Sequence, residues 1–437
     1  LKKYMKVLHI NQSDTAGGAA RAAYRIHKMI INNGIKDNIL SEMRVVIKNS
    51  NDESVFSNIS GKISFLKFKI IILLNKIYRL NFKTLNKVSH STALFQTNII
   101  KKINSHFVRK SKGIVHLHWL GDNTISIEEI NKINYPIVWT LHDQWPFCGA
   151  EHYTHLSLDT DFELIDKRYI EGYKSSNRPT HENGIDINKR TWIRKKRSWR
   201  KNMYIVCPSN WMAKCVRESA LMRDFQVKVI PYPIDLNFWK PVSKAKSRKI
   251  YNLPERGIII LFGAIGGTLD KRKGADLLLN ALEILACEFS SKELKKLNFV
   301  VFGQDPPIHK SSKYKFPIHF VGKIDNDEML RYLYSTADLF VIPSRQDNLP
   351  QTAIESHACG IPVVGFQTGG LIDIIDENIT GLLAKPFEAK SLAKSIKYLL
   401  KDKNRLQNMA IEARKRAERL WSEDVIYRKY LDIYKNI

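Results

Sequence analysis

Long apolar runs are scarce in this chain. The longest candidates, Ile70 to Leu74 and Ile258 to Phe262, fall far short of the roughly 18–20 residues that a membrane-crossing helix needs. Leu1 to Asn11 has no long apolar stretch ahead of a small-residue cleavage site, so no secretory signal is expected there. Cysteine is sparse too. The five cysteines, Cys148, Cys207, Cys215, Cys287 and Cys359, are odd in number, far apart and free of CxxC spacing, which argues against a disulfide framework and a zinc site and suits a reducing cytosol. Acidic residues are few, 43 against 70 Lys and Arg, leaving a formal charge of +27. A fold does not need that surplus, whereas a polyanionic partner rewards it. Nucleic acid, an anionic membrane surface and a phosphate-bearing substrate all satisfy the charge.

What is present is an alternation of short apolar runs with helical segments. With 437 residues, 44% of them hydrophobic, two domains of roughly 200 residues each are expected. Lys6 to Ile10 reads as a buried strand, followed by a polar loop from Asn11 to Gly18, an alanine-rich helix to Gly34 and a second strand at Asn38 to Ser41. Further strands are predicted at Ile114–His118, Pro136–Leu141, Tyr204–Cys207 and Val227–Ile230, with a helix over Asn210–Ser219. Three prolines between Pro231 and Pro241 mark a boundary. After it the alternation restarts, with strands at Ile258–Phe262, Phe299–Phe302, Ile318–Val321, Leu339–Ile342, Pro362–Gly365 and Leu382–Ala384. This is the pattern of α/β, doubly wound sheets. The domains expected are 1–238, with a basic helical insertion at about 60–110, then 239–418, and a C-terminal helix over 419–437.

Ligands of open parallel sheets bind beyond the carboxyl ends of the strands, so the loops after strands are the first candidates. Pro343 to Gln351 is one such loop. It holds Asp347 and leads into a helix carrying Glu355, eight residues on. The backbone N–H groups of Asn348 to Thr352 make an anion site at the positive end of that helix.

The string PSRQDNLPQTAIESHACGIPVVGFQTGG, from Pro343 to Gly370, resembles the donor-binding segment of family 4 glycosyltransferases. The resemblance implies the GT-B fold, two Rossmann-like domains facing a central cleft, and transfer from a nucleotide sugar with retention at the anomeric carbon. It places Asp347 and Glu355 at the family's two acidic positions, Asp347 standing where Glu is commoner, with Asn348 and Leu349 as donor contacts. GAIGGTLDKRKG, from Gly263 to Gly274, resembles the loop whose lysine, here Lys273, neutralises the donor diphosphate. Many members carry Arg where this chain has Ala264, which makes Arg272 the candidate substitute. Gly17 and Gly18 match a glycine pair close to the donor phosphates. His142, in WTLHDQWPF, matches an active-site histidine whose side chain would bond a donor hydroxyl. Gly322 to Asp325 matches the loop at the nucleotide base, making Ile324 a base contact. VIPYPIDLNFWKP, from Val229 to Pro241, is also similar to a family stretch, which usually carries Asn in place of Tyr232.

No cofactor and no metal are implied. The DxD triplet Asp159, Thr160, Asp161 lacks a buried strand to deliver it, and His116 and His118, alternating on one strand, read as structural. The partners expected are a nucleotide-sugar donor and a glycan or lipid-linked acceptor, with no nucleic acid. Lys62 to Arg79 reads equally as a segment lying on an anionic inner-membrane surface and as an ordinary helix pair packing on the first domain. The location expected is the cytoplasm, at the inner face of the membrane if the first of these holds. Lys189 to Lys201, with eight basic residues around Trp192 and Trp199, reads as a solvated helix with both Trp turned to the core. The same cluster motivates a competing class, a nucleic-acid binder, for which no RNA-binding motif is found. Asp347, Ala264 and Tyr232 support a third, a GT-B scaffold without catalysis.

Overall fold

The structure is a computed structural model describing residues 4–59, 61–97, 99–107, 112–155, 166–263, 270–304 and 316–437. It divides into two compact units, residues 1–232 with 427–437, and residues 233–426.

In the first unit, β1 (Met5–Ser13), β2 (Ile39–Ile47), β3 (Val55–Ser57), β4 (Lys112–Leu117), β5 (Ile137–Thr140), β6 (Tyr204–Cys207) and β7 (Gln226–Val229) form one sheet in the order β3-β2-β1-β4-β5-β6-β7. Every neighbouring pair is parallel. The central strands are buried on both faces, which is why they read as apolar runs. α1 (Gly18–Gly34) follows β1 and buries Ala22, Ala23, Ile26, Met29 and Ile30, a helical stripe against the sheet. α2 (Gly61–Arg79) buries no residue at all. α3 (Ile187–Ser198) buries Trp192, and Trp199 just beyond it is buried as well.

The second unit repeats the plan. β8 (Ile258–Gly263), β9 (Leu297–Phe302), β10 (Ile318–Phe320), β11 (Leu339–Ile342), β12 (Val363–Phe366) and β13 (Gly381–Ala384) run parallel in the order β10-β9-β8-β11-β12-β13. α4 (Ala275–Glu288) buries Leu278, Ala281, Leu282 and Leu285, and α5 (Gln351–Ala358) follows β11. Both sheets therefore reverse their winding next to their first strand, between β1 and β4 and between β8 and β11, the topological switch points at which such sheets bind ligands.

One expectation needs correction. The division falls after Tyr232 rather than after residue 238. Tyr232 hydrogen-bonds His142, whereas the N–H of Ile234 already donates to the Trp421 carbonyl at 2.9 Å, so the proline-rich stretch belongs mostly to the second unit. α6 (Lys403–Trp421) ends where Trp421 stacks on His357, and the C-terminal helix expected over 419–437 is α7 (Glu423–Lys435), which starts after Ser422. From Tyr427 onward α7 counts with the first unit, where Tyr434 bonds His116.

Candidate functional site

In the second unit the loops on either side of the switch point are tied together. After β8, Asp270 caps a short 3-10 turn over Lys271–Lys273 by accepting from the Arg272 N–H at 3.0 Å, and its other oxygen pairs with the Arg272 guanidinium at 2.6 Å. Arg272 thus pairs with Asp270, while Ala264, where many members of the resembled family carry arginine, lies outside the described residues together with Asp159, Thr160 and Asp161. Gly274 ends the turn at φ +67°. A β-carbon there would lie 1.9 Å from the Pro343 carbonyl oxygen, so only glycine lets the two loops meet.

The meeting places Lys273 Nζ 2.7 Å from Asp347 Oδ2, with the Ser344 hydroxyl donating to the same oxygen at 3.1 Å. Both partners keep some solvent exposure, 21% for Lys273 and 13% for Asp347. Arg345, unremarked in the sequence, locks the arrangement. Its guanidinium grips both oxygens of Asp276 at 2.8 and 2.7 Å and donates to the Lys271 carbonyl at 2.8 Å. Asn348 and Leu349 are buried beside Asp347, and α5 begins after Pro350 with no side chain capping it. Glu355 has different surroundings from Asp347: it is buried, and its Oε2 accepts from the Tyr334 hydroxyl at 2.8 Å. Ile324 is half-buried in the loop after β10, where the Gly322 carbonyl accepts from the Gly303 N–H at 2.9 Å.

In the first unit the loop after β1 is held by its own polar side chains. Asn11 accepts from the Trp119 N–H at 2.8 Å, and Asp14 accepts from the N–H groups of Asn49 and Ser50 at 2.9 and 2.8 Å. Gly17 then adopts φ +89° and precedes α1, which opens at Gly18 with no side-chain cap from Gly17.

His142 follows β5, but both ring nitrogens are engaged within the unit. Nε2 lies 3.1 Å from His118 Nδ1, and Nδ1 lies 2.9 Å from the Tyr232 hydroxyl. Burial pushes its pKa down to about 4. Asp143 next to it accepts from Trp119 Nε1 and faces His152 Nδ1, each at 2.6 Å. Burial pushes the Asp143 carboxyl up, but the His152 ring and these hydrogen bonds outweigh it and hold it below the usual range.

The loop after Asp143 is pinned by Lys195, which departs from the solvated helix expected of Lys189–Lys201. Lys195 is 0% exposed, donates to the carbonyls of Trp145, Cys148 and Gly149, and lies over the Trp145 ring at 3.8 Å. Charge counting could not single it out. Its position on α3, three residues after Trp192 and four before Trp199, was the available signal.

Among the described residues one group of side chains has metal-ligand spacing: His9, His116 and His118, whose nitrogens lie within 4.8 Å of one another. The nitrogens of His116 and His118 already have uses. His116 faces the Tyr434 and Thr140 hydroxyls, both at 2.8 Å, and His118 faces His9 at 2.8 Å.

Residues 243–416 match the family of glycosyl transferases group 1. The chain is 27% identical over 209 residues to a D-inositol 3-phosphate glycosyltransferase from Thermobispora bispora, a match covering 45% of this chain and 48% of that protein. It is 30% identical over 147 residues, 32% of this chain and 38% of the relative, to N,N'-diacetylbacillosaminyl-diphospho-undecaprenol alpha-1,3-N-acetylgalactosaminyltransferase from Campylobacter jejuni. The chain spans about half the length, or less, of these curated relatives. Among solved structures, sucrose-phosphate synthase from Thermosynechococcus elongatus superposes with a TM-score of 0.66 at 17% identity, over 99% of both chains. Anabaena Alr3699/HepE in complex with UDP and glucose gives 0.62 at 14% identity, over 99% of this chain and 100% of that one. At such identity the likeness speaks for the fold, which is GT-B.

Proposed function

We propose that this chain, whose residues 243–416 form a glycosyl transferases group 1 domain within a GT-B fold, is a retaining glycosyltransferase that moves a sugar from a nucleotide-diphosphate donor to a glycan or lipid-linked acceptor. The observation that carries the reading is the Lys273–Asp347 pair at the switch point of the second sheet, inside the matched segment. An ammonium and a carboxylate that share a bond while still partly exposed can exchange partners. A bound diphosphate takes the lysine, and the released carboxylate accepts from the sugar hydroxyls. As the bond to the anomeric carbon breaks, charge builds on the diphosphate, and Lys273 with the positive end of the α5 dipole stabilises it. The acceptor hydroxyl approaches from the face the diphosphate leaves, and the diphosphate takes its proton.

A thermal-shift screen of nucleotide sugars followed by donor hydrolysis tests this. UDP-glucose heads the screen because the Anabaena protein was captured with UDP and glucose. No stabilisation by any nucleotide sugar would sink the reading. Glu355→Gln should lower turnover sharply, and a fully active variant would mean that the site lies elsewhere. Transfer should persist undiminished in EDTA, so strict dependence on Mn²⁺ would count against the metal-independent mechanism.

The acceptor is proposed to be presented at a membrane, from the cytoplasmic side. Among the described residues no helix is long and apolar enough to cross a bilayer. α2, however, exposes Ile63, Leu66, Ile70, Leu73, Leu74 and Ile77 as one stripe at helical spacing, with Lys62, Lys69 and Lys76 along one border and no acidic residue. An apolar face edged with lysine suits an anionic lipid surface, to which each lysine contributes about 1 kcal/mol. Failure to float with anionic vesicles at low salt would remove this part of the proposal.

A further inference from the structure

The transfer reaction does not by itself call for a line of buried imidazoles, yet the first unit has one. His9 on β1, His118 after β4 and His142 after β5 project from three neighbouring strands. His9 Nδ1 lies 2.8 Å from His118 Nε2, His118 Nδ1 lies 3.1 Å from His142 Nε2, and His142 Nδ1 lies 2.9 Å from the Tyr232 hydroxyl. At both ring-to-ring contacts the Nδ1 of one imidazole meets the Nε2 of the next. All four side chains are buried, and at the inner end His9 Nε2 is buried without a partner.

A neutral imidazole has one N–H and one bare nitrogen, so setting one ring sets them all. Two arrangements exist. In the first, His9 Nδ1–H donates to His118, His118 Nδ1–H donates to His142, and His142 Nδ1–H donates to the Tyr232 oxygen. In the second, every bond is reversed and the file ends on a His9 Nε2–H. The unpartnered nitrogen separates them, since the second arrangement buries an N–H with no acceptor and the first only a bare lone pair, and orphaned buried N–H groups are the rarer of the two. Burial holds His9 and His118 well below the ordinary imidazole range, which keeps the file uncharged near neutral pH.

We propose that His9 and His118 are positioning residues that lock His142 as its Nδ1–H tautomer, bonded to the Tyr232 hydroxyl. That His142 serves the transfer reaction rests on the glycosyltransferase reading; the tautomer lock does not. A metal held by His9, His116 and His118 is the rival account. It is disfavoured because His116 is already faced by two hydroxyls and its ring stacks on His118 at 4.2 Å, with an interplanar angle of 29°.

The test is long-range ¹⁵N–¹H correlation of the imidazole rings in the full chain, labelled on histidine, at a pH near 7.5. His142 should appear as the Nδ1–H tautomer. His9→Phe, which removes the inner donor, should convert it to a mixture or to Nε2–H. His9→Asn, whose amide N–H replaces that donor, should restore Nδ1–H. An Nε2–H or doubly protonated His142 in the unsubstituted protein would overturn the proposal whatever the variants do. So would an unchanged His142 signal in a folded His9→Phe, or stoichiometric Zn²⁺ binding that shifts His9 and His118. None of these readouts depends on activity, so an enzyme that transfers no sugar would refute the function and leave the lock standing.

Discussion

In the first unit β1 and the segments after β4, β5 and β7 gather three imidazoles and a phenol that are buried, hydrogen-bonded in one file and uncharged near neutral pH. In the second unit the loops after β8 and β11 gather an ammonium and a carboxylate that stay partly exposed. The two sheets have the same winding and the same switch point, so topology chose the place of each cluster and not its chemistry. The difference is one of exchangeability. An exposed ion pair trades partners with a charged ligand at little cost, whereas a buried neutral file changes only by reversing every member together.

The largest effect expected is on the exchangeable side. Lys273→Met should lower kcat/KM for transfer roughly 100- to 1,000-fold, the usual effect of removing one donor from developing charge; a variant within threefold of the parent would make the pair structural. On the buried side Lys195→Met should cost stability instead, about 3 kcal/mol, because three carbonyls lose their buried partner. Urea denaturation followed through tryptophan fluorescence measures it, and an unchanged midpoint would show that the carbonyls find other donors.

Acid should separate the units further. Burial lowers His142, His27 and His90 to about 4, so the unfolded chain binds protons that the folded unit refuses between pH 6.5 and 4. The stability they confer is complete above pH 6.5 and is lost as pH falls through that window, by up to about 1.4 kcal/mol per pH unit for each group. Among the described residues of the second unit there is one such fully buried ring, His357. Hydrogen exchange over pH 7 to 4 should therefore show protection falling faster in the sheet of the first unit, and equal slopes would contradict the contrast. Tyr232→Phe should have the smallest effect on stability, about 1 kcal/mol, by leaving the His142 Nδ1–H without its acceptor.

Much of this was legible beforehand. Tyr204–Cys207 and Leu339–Ile342 are strands at the predicted bounds, because short apolar runs between turn residues have few alternatives inside a parallel sheet. Lys273 and Asp347 were found through their motifs, and the structure brings them together. His9 was passed over because its partner His118 is 109 residues away and nothing local marks the pairing. Lys195 was taken for a solvated lysine because composition counts charge without showing where it lies. Arg345 sat inside the quoted motif, yet its partner Asp276 comes from the opposite side of the switch point.

The sequence by itself determined where strands, turns and helix starts fall, and so which loops reach the carboxyl ends of the sheets. Apolar periodicity and the backbone freedom of Gly17 and Gly274 are local properties, carried by neighbouring residues. Only the tertiary structure decided which of those loops meet, that His142 is enclosed between His118 and Tyr232, and that Lys273 faces Asp347 while Arg272 does not. Those outcomes depend on strand order and burial, and both arise only once residues far apart in the chain exclude water from one another.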